Sequence, residues 1–552
     1  MPWHIDLDYP TYGAAREGFE WNVPDDYNLV ADLLRKHDDT DAPALRQRYP
    51  DGRAETYSFA DLDAASDRVA NALAARGVGA GDTVAVVLPQ VPANPLTHLA
   101  CWKLGAVSLP LSVLFGPDGL ESRLDDSGAV AVVADTDCRA AVREAAAACD
   151  ALAHHVEVDW RGEGVADGLD AFDALLDAPA AFDRVETTPE TPAIVMYTSG
   201  STGPPKGVLH GHDVWLGHCP AFSMYFELDT EGTFWTPADW AWIGALGDLL
   251  FPAWHYGQPV VGYPMGSFDA REAYDVLARE AVTNAFLPPT AIRMLMNEDP
   301  DEWDLALEAV CSGGEPLTPE ILAWADEELG GVPVNELYGQ TEANLLVTNC
   351  RRWFDARAGS MGKPAPGHEV AVLDPDTGER KPDDEVGHLA VRRTAPSGEP
   401  DPVVFHEYLN RPEKTAAATV EDDAGGSWHL TGDLGRRDED GYFWFKARDD
   451  DVIITAGYRV GPGEVESALL EHPSVEQVGV VGVPDDLRGE IIKAFVQPVA
   501  GVAGDDDLRE ELRALVRDSL AKHEYPREIA FVEALPTTTT GKIQRRKLRD
   551  GE

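Results

Sequence analysis

The chain has 552 residues, 44% of them hydrophobic, enough for a large buried core spread over several structural units of roughly 100–200 residues each. Lys and Arg total 45 against 97 Asp and Glu, a net charge of −52 at pH 7, which argues against nucleic acid or any other polyanion as a partner. The acidic excess is scattered along the whole chain and coats the surface; it is not an acidic tail.

Taken in chain order, Leu62, Ala65, Val69, Ala72 and Leu73 recur at a helical period between Asp61 and Arg76, and Thr83 to Leu88 then reads as a buried strand. The same alternation returns at Val130 to Ala134, at Ala193 to Tyr197, and at Tyr274 to Ala281 followed by Asn284 to Leu287, with Pro and Gly at the joins. Asp159 to Asp183 is polar and rich in Gly and Ala, a surface excursion. From about Gly387 the pattern changes to short strands and turns (Gly387 to Val391, Gly441 to Phe445), up to the acidic triplet Asp449-Asp450-Asp451, a candidate boundary. Beyond it the spacing predicts a compact α/β unit: a helix over Gly463 to Leu470, strands over Val475 to Val481 and Lys493 to Val496, and a helix face through Leu508, Leu512, Leu515, Val516 and Leu520. The expected fold class is α/β, a large multi-subdomain N-terminal domain (1–449) with mixed or parallel sheets plus a small α/β C-terminal domain (450–552).

Six cysteines (Cys101, Cys138, Cys149, Cys219, Cys311 and Cys350) lie far apart with no CxxC pair, so they are expected as reduced, mostly buried thiols. Met1 to Asp8 shows no signal-peptide pattern and no run of about 18 apolar residues occurs, which predicts a cytoplasmic protein without a membrane partner.

The densest chemical signal is Tyr197-Thr198-Ser199-Gly200-Ser201-Thr202-Gly203-Pro204-Pro205-Lys206-Gly207, directly after an apolar strand. Glycines let backbone N–H groups approach an anion closely, the four hydroxyls add donors and Lys206 adds a compact charge, a set suited to polyphosphate. It is not a Walker A loop, because Gly207 rather than Ser or Thr follows Lys206, and Gly77, Gly79 and Gly81 are wrongly spaced for a dinucleotide fingerprint. His210 and His212 lack neighbours at zinc-site spacing, and no G-x-S-x-G elbow is present.

The loop resembles the AMP-binding signature of the adenylate-forming superfamily, which includes acyl-CoA synthetases, luciferases and peptide-synthetase adenylation domains. Further motifs stand in the same order: Ser312-Gly313-Gly314-Glu315-Pro316, Tyr338-Gly339-Gln340-Thr341-Glu342, Thr431-Gly432-Asp433, Lys446 to Asp451 running into Gly457-Tyr458-Arg459, and Pro536 to Lys542. Any one is weak alone, and a Glu beside a Tyr is most often a surface residue; their order carries the resemblance. Met361-Gly362-Lys363, Gly441-Tyr442-Phe443, Arg488-Gly489-Glu490 and Gly541-Lys542-Ile543-Gln544-Arg545 resemble medium-chain acyl-CoA synthetases in particular.

The resemblance implies an ATP-dependent, AMP-forming acid:CoA ligase for a short- to medium-chain carboxylic acid, with Mg²⁺ as cofactor and ATP and CoA as co-substrates. It places Thr198, Ser199, Gly200, Ser201, Thr202, Gly203 and Lys206 on the phosphates, Gly314, Glu315 and Pro316 along the adenine, and Tyr338 against the purine face. Gly339 and Gln340 belong to the same nucleotide-binding run. Thr341 contacts phosphate, Glu342 provides a hard oxygen for Mg²⁺, and Asp433 accepts from the two ribose hydroxyls. Arg448 is implied near the ribose and Arg459 near phosphate or in a domain contact. Lys542 is implied as the adenylation lysine, touching the substrate carboxylate and α-phosphate. Asp450 matches the hinge about which the small domain rotates between the two half-reactions, bringing Gly457 and Tyr458 to the CoA path.

Acetate-specific relatives carry a bulky tryptophan where this chain has Gly339, so the acyl pocket, with Trp242 on its wall, is expected to hold more than two carbons. Trp235, Trp240 and Trp254 crowd the same segment and serve equally well as core. The competing readings are an acetate:CoA ligase and an adenylating enzyme that passes its acyl group to a carrier protein; no carrier domain follows Glu552. Monomer and homo-oligomer are both open.

The surface charge generates its own expectation. At about 0.15 M salt the Debye length is about 8 Å, and at 1 M it is about 3 Å, so self-repulsion on this scale calls for a salt-rich cytoplasm. The melting temperature is expected to rise with KCl from dilute buffer to molar concentration; undiminished stability in dilute buffer would end the halophile reading.

Overall fold

A computed structural model describes residues 4–198, 205–314, 317–395, 399–455, 458–485, 489–520, 525–537 and 543–550, with backbone alone at 450, 454, 458, 459, 464, 489, 518, 519 and 550. The chain forms two compact units, Met1–Val370 with Val391–His429, and Ala371–Ala390 with Leu430–Glu552.

In the first unit the helix Phe59–Ala74 starts where Ser58 and Asp61 form a reciprocal capping box, and it buries Leu62, Val69 and Leu73 on one stripe. The strands Thr83–Val87 and Ala131–Asp135 are buried along their whole length. Such unbroken apolar runs are what interior parallel strands need, because helices cover both faces. They lie in an eight-stranded sheet ordered Glu407–Tyr408, Lys206–Gly211, Pro192–Thr198, Val107–Pro110, Thr83–Val87, Ala131–Asp135, His154–Val158 and Asp170–Ala171. From Pro192–Thr198 onward the pairings run parallel, whereas Lys206–Gly211 is antiparallel to both its neighbours. A nine-stranded sheet carries Asn284–Phe286, Ala309–Gly313 and Val334–Gln340 in parallel, then turns antiparallel at Ala343–Thr348.

The helix expected over 274–281 runs from Ala270 to Arg279, begun by Asp269, whose side chain accepts from Glu272 N. The stretch from Asp159 to Asp183 is less of an excursion than its composition suggests. It supplies the edge strand Asp170–Ala171 and a helical turn, Phe172–Leu175, whose Phe172 and Leu175 are buried. A two-residue strand and a single helical turn are too short to create a visible period. All six cysteines are buried and free.

Trp235, Trp240 and Trp254 are fully buried in the core, and Trp254 donates its indole N–H to Ala44 O (2.9 Å). Around the helix Val214–Tyr225, Trp215 stacks on Phe251 (5.1 Å) and Phe222 on Phe234 (5.3 Å). Each such ring takes about 150–250 Å² out of water, roughly 4–6 kcal/mol before the entropy of ordering it.

The second unit has its own core, including Val465, Leu469, Val480, Ile492, Val496, Leu512 and Val516. Strand Gly489–Pro498 pairs antiparallel with Val475–Asp485 and parallel with Glu528–Phe531, and the helices Pro462–Leu470 and Asp506–Ser519 complete the α/β unit expected beyond the acidic triplet. Both strands are longer than expected because Gly482 to Asp485 and Gly489 to Ile492 pair with each other and extend the ladder. Arg545 pairs with Glu466 (2.6 Å) and Asp451 (3.3 Å), and Arg549 with Asp451 (2.8 Å), so part of the basic run near the end of the chain is spent on local ion pairs.

Glu336, in the strand Val334–Gln340, is buried, and its carboxyl accepts only the Leu317 N–H (3.1 Å) among the described residues. Burial pushes its pKa up to about 8. At neutral pH the folded chain therefore keeps a proton that the unfolded chain has lost, so stability falls as pH rises from about 4.5 through about 8. Glu336→Gln is expected to flatten that part of the stability profile, which otherwise slopes by up to about 1.4 kcal/mol per pH unit. Chemical denaturation at a series of pH values checks it.

Candidate active site

Both sheets of the first unit deliver the motif residues at the carboxyl ends of parallel strands, where ligands of α/β proteins bind. Thr198 ends Pro192–Thr198 and pairs with Lys206, which opens the returning strand. Gly313 ends Ala309–Gly313, with Gly314 exposed just beyond, and Tyr338, Gly339 and Gln340 end Val334–Gln340, all three partly exposed.

Hydrogen bonds across the two sheets join these ends. His210 Nε2 donates to Thr341 O (2.7 Å), and Phe405 N donates to Glu342 O (2.8 Å). His210 is wholly buried and its pKa is pushed down to about 3, so the ring is neutral and acts as a fixed donor. The histidine considered above as a metal ligand is a backbone clamp on the nucleotide motif. Among the described residues no group of three or more His, Cys, Asp or Glu is arranged to hold a metal ion.

Glu342 is 8% exposed, and its carboxylate is held from one side by Tyr408, whose hydroxyl donates to Oε1 (2.8 Å). Lys206 Nζ lies 4.0 Å from the same oxygen and 4.1 Å above the Tyr408 ring. Tyr408 reaches this position from a short edge strand on Lys206–Gly211, with Tyr408 opposite Val208. Its segment is tied down further along: Leu409 N donates to Gly207 O, Val403 packs against Gly217, and His368 bridges Asp401 (2.8 Å) and Gly217 O (2.9 Å). A steadied carboxylate, a lysine and a tyrosine beside a hydroxyl-bearing strand end bring a hard oxygen donor and a positive charge together, groups with the chemistry to meet a cation and an anion.

Gly339 is required by close approach, since a Cβ there would collide with Asn344 Oδ1. The space that a larger residue at this position would fill is already bordered by a carboxamide. Trp242 is half-buried, edge-on to Phe115 (6.1 Å), and together with Ile243 and Gly244 forms a strip of intermediate exposure between buried neighbours.

In the second unit Asp433 and Arg448 come together. They are register partners on adjacent strands, and Arg448 Nη1 donates to Asp433 Oδ1 (3.0 Å). Gly432 sits at φ 72°, a left-handed conformation that turns the chain between Thr431 and Asp433, and Asp433 is only 4% exposed. The carboxylate is oriented by the guanidinium before any ligand arrives.

Ser199, Gly200, Ser201, Thr202, Gly203, Glu315, Pro316, Gly457 and Lys542 lie outside the described residues, as do the side chains of Asp450, Tyr458 and Arg459. Tyr408 was missed by sequence reasoning, and so was the clamping role of His210. Tyr408 stands 66 residues from Glu342, in no recognisable spacing to it. The only local sign was a tyrosine in a short stretch between polar residues.

The chain matches the AMP-binding enzyme family over residues 35–397 and the AMP-binding enzyme C-terminal domain over residues 464–542. It is 32% identical to the acyl-coenzyme A synthetase ACSM3, mitochondrial, of Rattus norvegicus, covering 99% of this chain and 94% of the relative. It is 35% identical to the acetyl-coenzyme A synthetase of Bacillus subtilis, covering 91% and 86%. Among solved structures, the anthranilate CoA ligase AuaEII in complex with anthranoyl-AMP superposes with a TM-score of 0.85 at 28% identity, covering 96% and 98%. With the motif residues gathered at the strand ends and both family models matched in order, the chain belongs to the AMP-binding enzyme family and is one of its acyl-CoA synthetases.

Proposed function

We propose that this AMP-forming acid:CoA ligase takes a short- to medium-chain carboxylic acid, with Glu342 as the Mg²⁺ ligand and Lys542 as the adenylation lysine. The observation that carries the reading is the Tyr408–Glu342–Lys206 cluster at the end of the Thr198 strand, because it assembles anion-binding and cation-binding groups around one carboxylate. In the first step a carboxylate oxygen of the acid attacks the α-phosphorus of ATP, forming the acyl–phosphate bond and releasing pyrophosphate. In the second the CoA sulfur attacks the acyl carbonyl carbon and AMP leaves. Mg²⁺, when bound, neutralises charge on the phosphates. No protein nucleophile is needed; the chain positions the reactants and offsets charge.

Thr198, Lys206 and the hydroxyls between them hold the phosphates, Thr341 and Gln340 flank them, and Tyr338 with Gly314, Glu315 and Pro316 encloses the base. Asp433, steadied by Arg448, accepts from the ribose. Arg459 serves the phosphate side, and Gly457 and Tyr458 line the CoA path. Gly339 and Trp242 border the acyl group. We place the mobile unit at 450–552, turning about Asp450 so that one site serves both steps. The Bacillus subtilis relative keeps acetate as the alternative acid, and among the described residues no helix is long and apolar enough to cross a membrane. A cytoplasmic location accords with that. AMP release measured with CoA over a panel of acids in molar KCl tests the reading; release that peaks sharply at acetate would replace it with the acetate alternative.

Two sets of variants separate the roles. Lys542→Ala is expected to abolish adenylation, a loss of several orders of magnitude, yet to leave thioester formation from supplied acyl-AMP largely intact. Asp450→Pro is expected to do the reverse, with the CoA step hit harder than acid-dependent ATP–pyrophosphate exchange. Tyr408→Phe keeps the ring over Lys206 and removes the hydroxyl from Glu342. It should raise the Mg²⁺ concentration for half-maximal exchange by about 3- to 10-fold, the worth of one ordinary hydrogen bond of roughly 0.5–1.5 kcal/mol, with the melting temperature little changed. Weaker Mn²⁺ binding in the presence of ATP, followed by electron paramagnetic resonance, should accompany it.

A further inference from the structure

Beneath Gly339 lies a buried polar cluster that the two half-reactions do not use. His218 Nδ1 donates to Val214 O (2.8 Å), which leaves Nε2 to accept from Asn344 Nδ2 (3.2 Å). The second hydrogen of Asn344 Nδ2 goes to Asp248 Oδ1. These bonds fix the carboxamide the right way round, so Asn344 Oδ1 points away from the cluster toward Gly339. Burial without a cationic partner pushes the Asp248 carboxyl well above the usual carboxylate range and holds His218 neutral. Because Asp248 Oδ1 is the acceptor from Asn344, Oδ2 is the oxygen left to carry a proton.

Asp248 Oδ2 faces Gly244, whose Cβ position lies 3.4 Å away, and Phe286 stands 3.2 Å from that position. Among the described residues neither Asp248 Oδ2 nor Asn344 Oδ1 makes a hydrogen bond, and each residue is only 3% exposed. Gly244 and Gly339 themselves are partly exposed, so the two polar atoms lie directly under backbone that solvent reaches. An apolar group seated against these two atoms would strip them of solvent without replacing its hydrogen bonds, at about 1–3 kcal/mol each, whereas a ligand with its own donor and acceptor would not.

We propose that Asp248 and Asn344 form the polar floor of the acyl pocket, and that the acid this enzyme takes carries a hydroxyl group at the end remote from its carboxylate. A hydroxyl accepts one hydrogen bond from Asp248 Oδ2–H and donates one to Asn344 Oδ1, which matches the pair one to one. An alkyl end of the same length leaves both unpaired. The inference rests on the ligase reading and on Gly339 bordering the acyl group, and it narrows the substrate class within them.

The test compares kcat/KM for AMP release with ATP and CoA between each n-alkyl acid from butanoate to decanoate and its terminally hydroxylated counterpart, and between benzoate and its para-hydroxylated counterpart. The hydroxylated member should be favoured at least about tenfold at the length that seats the hydroxyl on the floor. Asp248→Leu should erase that preference and raise activity on the alkyl partner. Should that variant fail to fold, Asn344→Leu gives the same comparison, and the wild-type panel decides on its own. Alkyl acids equal to or better than their hydroxylated partners in every pair would overturn the polar floor while leaving the ligase intact. AMP release with none of the acids would sink both.

Discussion

The Glu342 carboxylate is the point on which the first unit's architecture converges. It hangs at the turn between Val334–Gln340 and Ala343–Thr348, its backbone is bonded from Phe405, and its Oε1 is bonded from Tyr408. Lys206 faces it at 4.0 Å, too far for a tight ion pair and close enough for an interaction of about 4 kcal/mol at an intermediate dielectric, less where solvent screens it. The cation–π contact draws the ammonium toward the tyrosine ring as well as toward the carboxylate. The lysine is thus placed between a carboxylate and an aromatic face at the end of the Thr198 strand.

That arrangement depends on keeping other charges away. On a chain of 97 acidic residues, several interior carboxyls among those described are either kept protonated or matched by a cation. Glu336 and Asp248 keep their protons through burial, whereas Asp32 is held between Lys36 (2.7 Å) and His255 (2.8 Å), and Asp67 meets the fully buried Lys103 (2.5 Å). The buried histidines His98, His210, His212, His218 and His429 are driven to the neutral form. The ionised excess therefore stays at the surface, where salt screens it, and the field at the nucleotide site comes from a few residues.

Much of the frame was legible beforehand, for identifiable reasons. Interior strands such as Thr83–Val87 and Ala131–Asp135 are unbroken apolar runs, and the helix Asp506–Ser519 shows its buried stripe in the spacing of Leu508, Leu512 and Val516. The motif residues were legible because glycine, hydroxyl and charged residues are clustered within a few positions of chain. What stayed hidden was chemistry assembled from distant segments: Tyr408 on Glu342 across 66 residues, His210 on Thr341 across 131, and Asn344 on Asp248 across 96. The aromatic crowding from Trp235 to Trp254 could not be assigned from composition, because an indole that lines a pocket and one that fills a core look alike in a string of letters; three of the four are core.

The amino-acid sequence alone determined the alternation of helix and strand, including the helices and strands beyond the acidic triplet, the family resemblance and the order of its motifs, since each is set by local spacing and residue type. Only the tertiary structure decided which side chains hold the motif residues in place and which polar atoms are buried without a partner. Hydrogen bonds between distant segments and desolvation depend on what packs overhead, and no local pattern encodes either.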